Sequence, residues 1–367
     1  MFQINRQLSK LYSSSALGSL SLTGAWVAIL SARGYTLMEI GIAETVFHIT
    51  SILFEIPSGA LADVFGRKKM LIVSSVMCMI GNIIMIFSDS LFMVCLSIAF
   101  QALCYNFSSG TGDALAYDSL KIAGMESSFE RYESNQLIIY RLCSGISTLC
   151  AGLALFMGYK IAYCIDLIIC AVQISILFSL REVCAADTTE KSSRVMTGLC
   201  RRLILCFRES FVFLSTAKKA LGIMLCNSLV GAVDTLLLFF LQAKLLQKGI
   251  PQWELGLALF FMQMGGIIGA KLILKFLKRN YKRIFAVSTF LVLAGILAEH
   301  SFLYLVMAFG GFISSMGDDA LQVRTNARLQ SMFPSEQRAT LTSMDSFCFS
   351  IVMIVLSPLA GIVFTYW

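Results

Sequence analysis

Four polar side chains stand inside one long apolar run: Glu44, His48, Ser51 and Glu55. Their offsets from the first are four, seven and eleven residues. On a helix these fall within about 60° of one face, at about 100° per residue. A histidine one turn from a carboxylate is a protonation switch near neutral pH. The same two groups also make an ordinary packing hydrogen bond, and the spacing is compatible with both. A second apolar run carries Asn106, Gly110, Asp113 and Tyr117 on one face, and the next run holds Arg141. Later in the chain Asn227 and Asp234 are seven apart and face together, whereas the adjacent Asp318 and Asp319 cannot share a face. Reversible protonation and ion pairing are the chemistry that these types offer.

The elements that must position them follow from composition. Of 367 residues, 57% are apolar and 14% charged, and the mean hydropathy is +0.78. Soluble proteins average about 45–50% and about 25%. Such a chain cannot hide its apolar surface within one water-facing globule, and disorder is excluded for the same reason. The 12 cysteines are scattered singly, most of them within apolar runs such as those of Cys78, Cys95, Cys164 and Cys170, and read as buried thiols. No metal spacing is present. A bilayer crossing needs about 20 mainly apolar residues. The sequence holds about eleven such runs: Leu11–Leu30, Gly41–Ala62, Met70–Ser88, Leu91–Tyr117, Leu137–Met157, Ile161–Leu180, Ala220–Ala243, Leu255–Leu277, Ile284–Ala298, Phe302–Val323 and Leu341–Phe364. An ionisable group at mid-membrane costs about 2.5–3.5 kcal/mol or more on insertion scales, so each must face protein or water.

The net charge of +7 sits in short blocks between these runs and does not suggest nucleic acid. The N-terminus, the even loops and the central stretch hold about 24 Lys and Arg; the odd loops hold Arg33, Lys160, Lys244 and Lys248. That bias places the N-terminus in the cytoplasm. It also puts Asp113 and Arg141 at similar depth on antiparallel helices. A pair between them is expected, with Glu55 nearby, either as a proton-carrying group or as a structural ion pair. The chain repeats internally: Ser108–Leu115 (SSGTGDAL) returns as Ser314–Leu321 (SSMGDDAL), and Gly59–Ala60 before a basic block returns at Gly269–Ala270, at offsets of about 205–210 residues. Two parallel, related bundles are therefore expected, 1–180 and 217–367, joined by a central cytoplasmic loop at 181–216. Two such halves with a site between them is a recurring transporter plan.

The loop after the second run reads GALADVFGRKK, Gly59–Lys69. It resembles, position by position, the G-x-L-A-D-x-x-G-R-K-x signature of the major facilitator superfamily. EIPSG (Glu55–Gly59), SGTGDALAYDSL (Ser109–Leu120) and PSEQRAT (Pro334–Thr340) are similar to bacterial members, and the resemblance covers nearly the whole chain. It implies an all-α polytopic fold with six plus five spans. It also implies a latch in which Asp63 and Arg67 cluster with Asp118, ending the fourth helix, and Arg338, starting the eleventh. Gly59 and Gly66 permit close approach and a tight turn, and Arg67, Lys68 and Lys69 anchor the loop at the inner leaflet. Simple topology anchoring is the plainer reading of the same loop. The fold further implies a central cavity lined by the first, fourth, seventh and tenth helices. Its candidates are Trp26, Tyr105, Asn106, Asp113, Asn227, Asp234, Phe312, Asp318 and Asp319. Glu44, His48, Glu55, Asp113 and Arg141 are the candidates for proton coupling.

The pattern also departs from the family. No Arg lies in the first half of the fourth helix, and the fifth lacks the G-P pair of antiporters. Against twelve spans in the family, eleven are read here, which leaves the cavity intact or marks a product that does not transport. No Walker-type loop, nucleophile elbow or zinc-helix motif is present, so no enzyme and no cofactor are expected. The expectation is a monomeric secondary transporter of the bacterial cytoplasmic membrane. Proton-coupled efflux of neutral or cationic amphipathic compounds is the favoured activity, with proton-coupled nutrient uptake or a non-transporting membrane protein as alternatives.

Overall fold

The computed structural model describes residues 3–183, 218–273, 275, 280–330, 332 and 338–366. Most of the central stretch, 184–217, lies outside the described residues. Among the described residues every regular element is helical. In chain order these are α1 (Ile4–Ser19), α2 (Trp26–Ala32), α3 (Leu37–Phe65), α4 (Arg67–Ile86), α5 (Leu91–Ser108), α6 (Thr111–Ile122) and α7 (Phe129–Leu149). They continue with α8 (Ala151–Met157), α9 (Tyr159–Phe178), α10 (Lys218–Gln247), α11 (Gln252–Ile273), α12 (Tyr281–Glu299), α13 (Tyr304–Gln330) and α14 (Arg338–Tyr366). Among the described residues eight helical stretches are long and apolar enough to cross a membrane, and a ninth is added if the bent pair α7–α8 counts as one.

Three expected spans are interrupted. The first, Leu11–Leu30, is two helices separated by the turn at Leu20–Ala25. The fourth breaks between α5 and α6, where Gly110 takes φ 68°, a left-handed conformation that suits glycine. Asp113 therefore lies in the first turn of α6, although Leu91–Ile122 still passes as a single span. The fifth bends by 43° between α7 and α8. The tenth is an unbroken helix, α13, but its glycines, serines and Asp318–Asp319 keep it below the hydropathy of a lipid-facing span.

The chain divides into two compact units: Met1–Gly24, Ile49–Ser147 and Met157–Arg208 in one, Ala25–His48, Thr148–Phe156 and Glu209–Trp367 in the other. In the first, α4 packs on α5 and α9, and α1 packs on α9. One of its cores joins Leu11, Leu115, Leu120, Leu177 and Leu180 around a fully buried Tyr132, which stacks on Tyr12 at 5.0 Å. The described cysteines are all free.

The second unit is built on α13, which packs against both α11 and α12. Small residues bring the backbones together. A Cβ added at Gly265 or Gly269 of α11 would land on the carbonyl oxygens of Phe312 or Met316 in α13. Gly295 of α12 meets Gly310 in the same way. A core of Leu237, Leu241, Leu245, Leu255 and Met262 also takes in Ala28 of α2 and Ala151 of α8.

Candidate functional site

The signature loop is held by polar contacts within the first unit. Gly66 takes φ 98° and precedes α4. The next residue, Arg67, donates from Nη1 to the carbonyl of Ala114 and pairs with Asp118, both on α6. Asp118 is 8% exposed, so its charge is answered by a neighbouring guanidinium rather than by water. Lys68 donates from its backbone N–H to Glu182 (3.1 and 3.3 Å) and from Nζ to the carbonyl of Phe178 at 2.8 Å. A Cβ on Gly66 would meet the Glu182 carboxylate at 2.7 Å. Lys68 is thus tied to the end of α9. Gly59 lies within α3, and the side chains of Asp63 and Arg338 lie outside what is described.

The polar stripe on α3 serves two different neighbours. Its first part lies in the second unit. There His48 shares one hydrogen bond with Glu44 through Nε2 and another with Ser350 of α14 through Nδ1, each at 3.2 Å. All three are buried, and Phe47 and Phe349 stand edge-on to the imidazole at 5.4 and 5.7 Å. A Cβ at Gly41 would land on the Ser357 carbonyl, which shows how close α3 and α14 run. The second part of the stripe lies in the first unit. Ser51 donates to Asn106 Oδ1 at 3.0 Å, and Asn106 donates back to the Ser51 carbonyl at 2.9 Å. Asn106 is therefore committed to joining α3 and α5. Glu55 is half-buried, Tyr105 is 58% exposed, and Asp113 is exposed. The side chain of Arg141 lies outside the described ones, so the expected pair with Asp113 is not placed.

In the second unit three carboxylates gather on α10 and α13. Asp234 is 5% exposed and accepts a hydrogen bond from Ser314. Asp318 points at α10, where Gly231 leaves room for it: a Cβ there would lie 3.3 Å from Oδ1. Asp319 points instead at Gly266 of α11. Asn227 is buried two turns before Asp234. Phe312 stacks between Phe261 and Phe309, at 4.8 and 6.0 Å. Trp26 of α2 stands edge-on to Phe239 of α10 at 5.7 Å.

Two carboxylates escaped the sequence reading. Asp166 of α9 is 5% exposed. It accepts from the N–H of Leu22 (2.8 Å), the N–H and hydroxyl of Thr23 (3.2 and 2.6 Å) and the hydroxyl of Ser21 (2.8 Å). It thus satisfies backbone groups that the break between α1 and α2 leaves without helical partners. Glu299, 3% exposed at the end of α12, forms an ion pair with Lys244 of α10. Both acids lie in or beside apolar runs, and that position is the signal that could have flagged them.

A family model of the Major Facilitator Superfamily matches residues 11–358. A stretch of 103 residues is 31% identical to the "Uncharacterized MFS-type transporter YxaM" of Bacillus subtilis (strain 168), covering 23% of this chain and 26% of that one. Another, of 62 residues, is 37% identical to an "Uncharacterized transporter" of Buchnera aphidicola subsp. Schizaphis graminum (strain Sg), covering 17% and 16%. The matched stretches thus span about a quarter and about a sixth of those relatives. The fold is similar to that of the nucleoside transporter NupG, with a TM-score of 0.77 at 15% identity over 100% of this chain and 92% of that one. It is also similar to the peptide transporter POT in its complex with sulfate, with a TM-score of 0.70 at 12% identity over 98% and 90%. At such identities the likeness is one of fold. With the match spanning nearly the whole sequence and its apolar helices crossing a bilayer several times, this chain belongs to the Major Facilitator Superfamily.

Proposed function

We propose that the protein is a secondary transporter that moves a small solute by alternating access, coupled to protons, with its N-terminus in the cytoplasm. Family membership supports transport, and the basic residues of the even loops support the orientation. Proton coupling is carried by one observation, the buried chain Glu44–His48–Ser350. Taking up a proton there changes the charge of a group whose partners are a carboxylate on its own helix and a hydroxyl on α14. In a site of low dielectric, that change alters how tightly the two helices hold each other. Export of neutral or cationic amphipathic compounds is the direction and class favoured. The acidic groups on α10 and α13 and the aromatic stack at Phe312 suit such solutes better than anions.

The test is proton movement in inverted membrane vesicles energised with a ΔpH, challenged with a panel of lipophilic cations. Wild-type protein should release luminal protons when a transported cation is added. His48→Gln and Glu44→Gln should abolish that release while the protein stays in the membrane. Undiminished release in the double variant would remove this chain as the coupling element. Response to a nutrient sugar or nucleoside and to no cation would overturn export.

A further inference from the structure

At one end of the second unit a cavity of about 570 Å³ opens among the ends of four helices. Its lining takes Ser31 from α2, Lys244 from α10 and Lys248 just past its end, Glu299 from α12 and His300 just past its end, and Phe364 to Tyr366 from α14. Helix C-termini carry partial negative charge. Here much of it is already answered by the backbone. Tyr35 N–H caps Leu30 O at 3.1 Å, Ile250 N–H caps Leu245 O at 3.1 Å, and Gly249 N–H caps Leu246 O at 3.0 Å.

The cations at this cavity exceed what the helix ends require. The odd loops of the sequence carry four basic residues; two of them, Lys244 and Lys248, line this cavity, and a third, Arg33, stands over the ring of the lining Tyr35 at 5.3 Å. Lys244 is committed to Glu299, whose 3% exposure puts the acid behind the lysine. Glu39, the acid at the start of α3, accepts from the N–H and hydroxyl of Thr36, both at 2.8 Å. Lys248 is different. It is exposed, it stands over the Phe302 ring at 5.3 Å, and among the described residues it pairs with no carboxylate. Tyr366, which lines the cavity, and Phe302, beside Lys248, are the most exposed aromatic rings among the described residues, at 87% and 90%. A cation with no carboxylate partner among the described residues, at a polar cavity edged by exposed aromatic surface, is the complement of an amphipathic anion.

We propose that this cavity binds the anionic group, phosphate or carboxylate, of an amphipathic molecule, with Lys248 as its charge partner and Phe302 and Tyr366 against its apolar part. The site is separate from the Glu44–His48–Ser350 chain and does not depend on proton coupling. Two sources present this chemistry, a free aromatic phosphate or carboxylate and the headgroup of an anionic lipid.

The test is binding of phenyl phosphate to the purified full chain in an uncharged maltoside detergent, read by isothermal titration, with phenyltrimethylammonium as the opposite-charge control. Phenyl phosphate should bind. Lys248→Gln should weaken it at least about tenfold, and Lys248→Arg should keep it. Lys248 is exposed, so an unchanged thermal midpoint will show that both variants are folded. In nanodiscs, competition by phosphatidylglycerol but not by phosphatidylcholine assigns the site to a lipid headgroup; competition by neither assigns it to a free solute. Equal affinity in Lys248→Gln, tighter binding of the ammonium probe, or no binding of phenyl phosphate would overturn the proposal.

Discussion

The carboxylate of Asp166 accepts hydrogen bonds from both the backbone N–H and the hydroxyl of Thr23, at 3.2 and 2.6 Å. With Ser21 and Leu22 it forms a four-donor clasp on the turn where the first span is interrupted. Asp166→Asn puts an amide N–H₂ where an acceptor stood, and leaves buried donors unanswered. Each buried group left without a partner costs about 1–3 kcal/mol. Thermal unfolding in detergent should show a loss of that order for Asp166→Asn and a larger one for Asp166→Ala. An unchanged midpoint in both would mean that the clasp contributes nothing to stability.

Arg67 and Asp118 should not tolerate removal equally. Taking away the arginine strands a nearly buried carboxylate, which costs about 3–5 kcal/mol. Taking away the charge of Asp118 leaves Arg67 its bond to the Ala114 carbonyl. Arg67→Ala should therefore lower both the yield of folded protein and the thermal midpoint, more than Asp118→Asn does. Size-exclusion profiles and melting curves check the order; the reverse order would sink this account of the loop.

Gly66 has two reasons to stay glycine. Its φ of 98° strains any side chain, and the Glu182 carboxylate occupies the space of a Cβ. Gly66→Ala should cost about 1–3 kcal/mol from the strained backbone alone. Adding Glu182→Ala should recover only the part due to crowding. A double variant as stable as wild type would show that the backbone conformation is not strained.

Two glycines of the second unit should respond with opposite sign. Gly269 faces the Met316 backbone, which cannot yield, so Gly269→Leu should destabilise by about 1–3 kcal/mol or more. Gly222, inside α10, has nothing within 4 Å of where its Cβ would stand. Gly222→Ala should stabilise by about 0.4–1 kcal/mol through the unfolded chain. Melting curves of the two variants decide it, and a loss in both would mean that Gly222 is packed after all.

Legibility in the sequence differed from residue to residue. The α3 stripe was visible because a helical period of about 100° per residue places Glu44 and His48 on one face without reference to any partner. Ser350 was not visible. A hydroxyl costs little to place in an apolar helix, so nothing local marks the one serine that meets the imidazole. Asn106 was singled out by its place on the fourth run, but its hydrogen bonds to Ser51 were not visible, because nothing local marks a serine 55 residues earlier as its partner. Asp166 and Glu299 were marked by charge near apolar surroundings, but their partners lie more than 50 residues away in the chain, at Thr23 and Lys244.

The sequence by itself determined that the chain is a multi-spanning helical membrane protein, that short segments recur about 205–210 residues apart, and that its loop at Gly59–Lys69 carries a family signature. These properties are local: a run length, a hydropathy, a charge count, a string of residues. Only the tertiary structure decided which polar groups answer one another. Arg67 found Asp118, His48 found Ser350, and Asp318 and Asp319 turned to different helices through the gaps at Gly231 and Gly266. The physical reason is that a buried polar group must be paired, while the choice of partner depends on which helix faces approach closely enough, and that is fixed by packing over the whole unit.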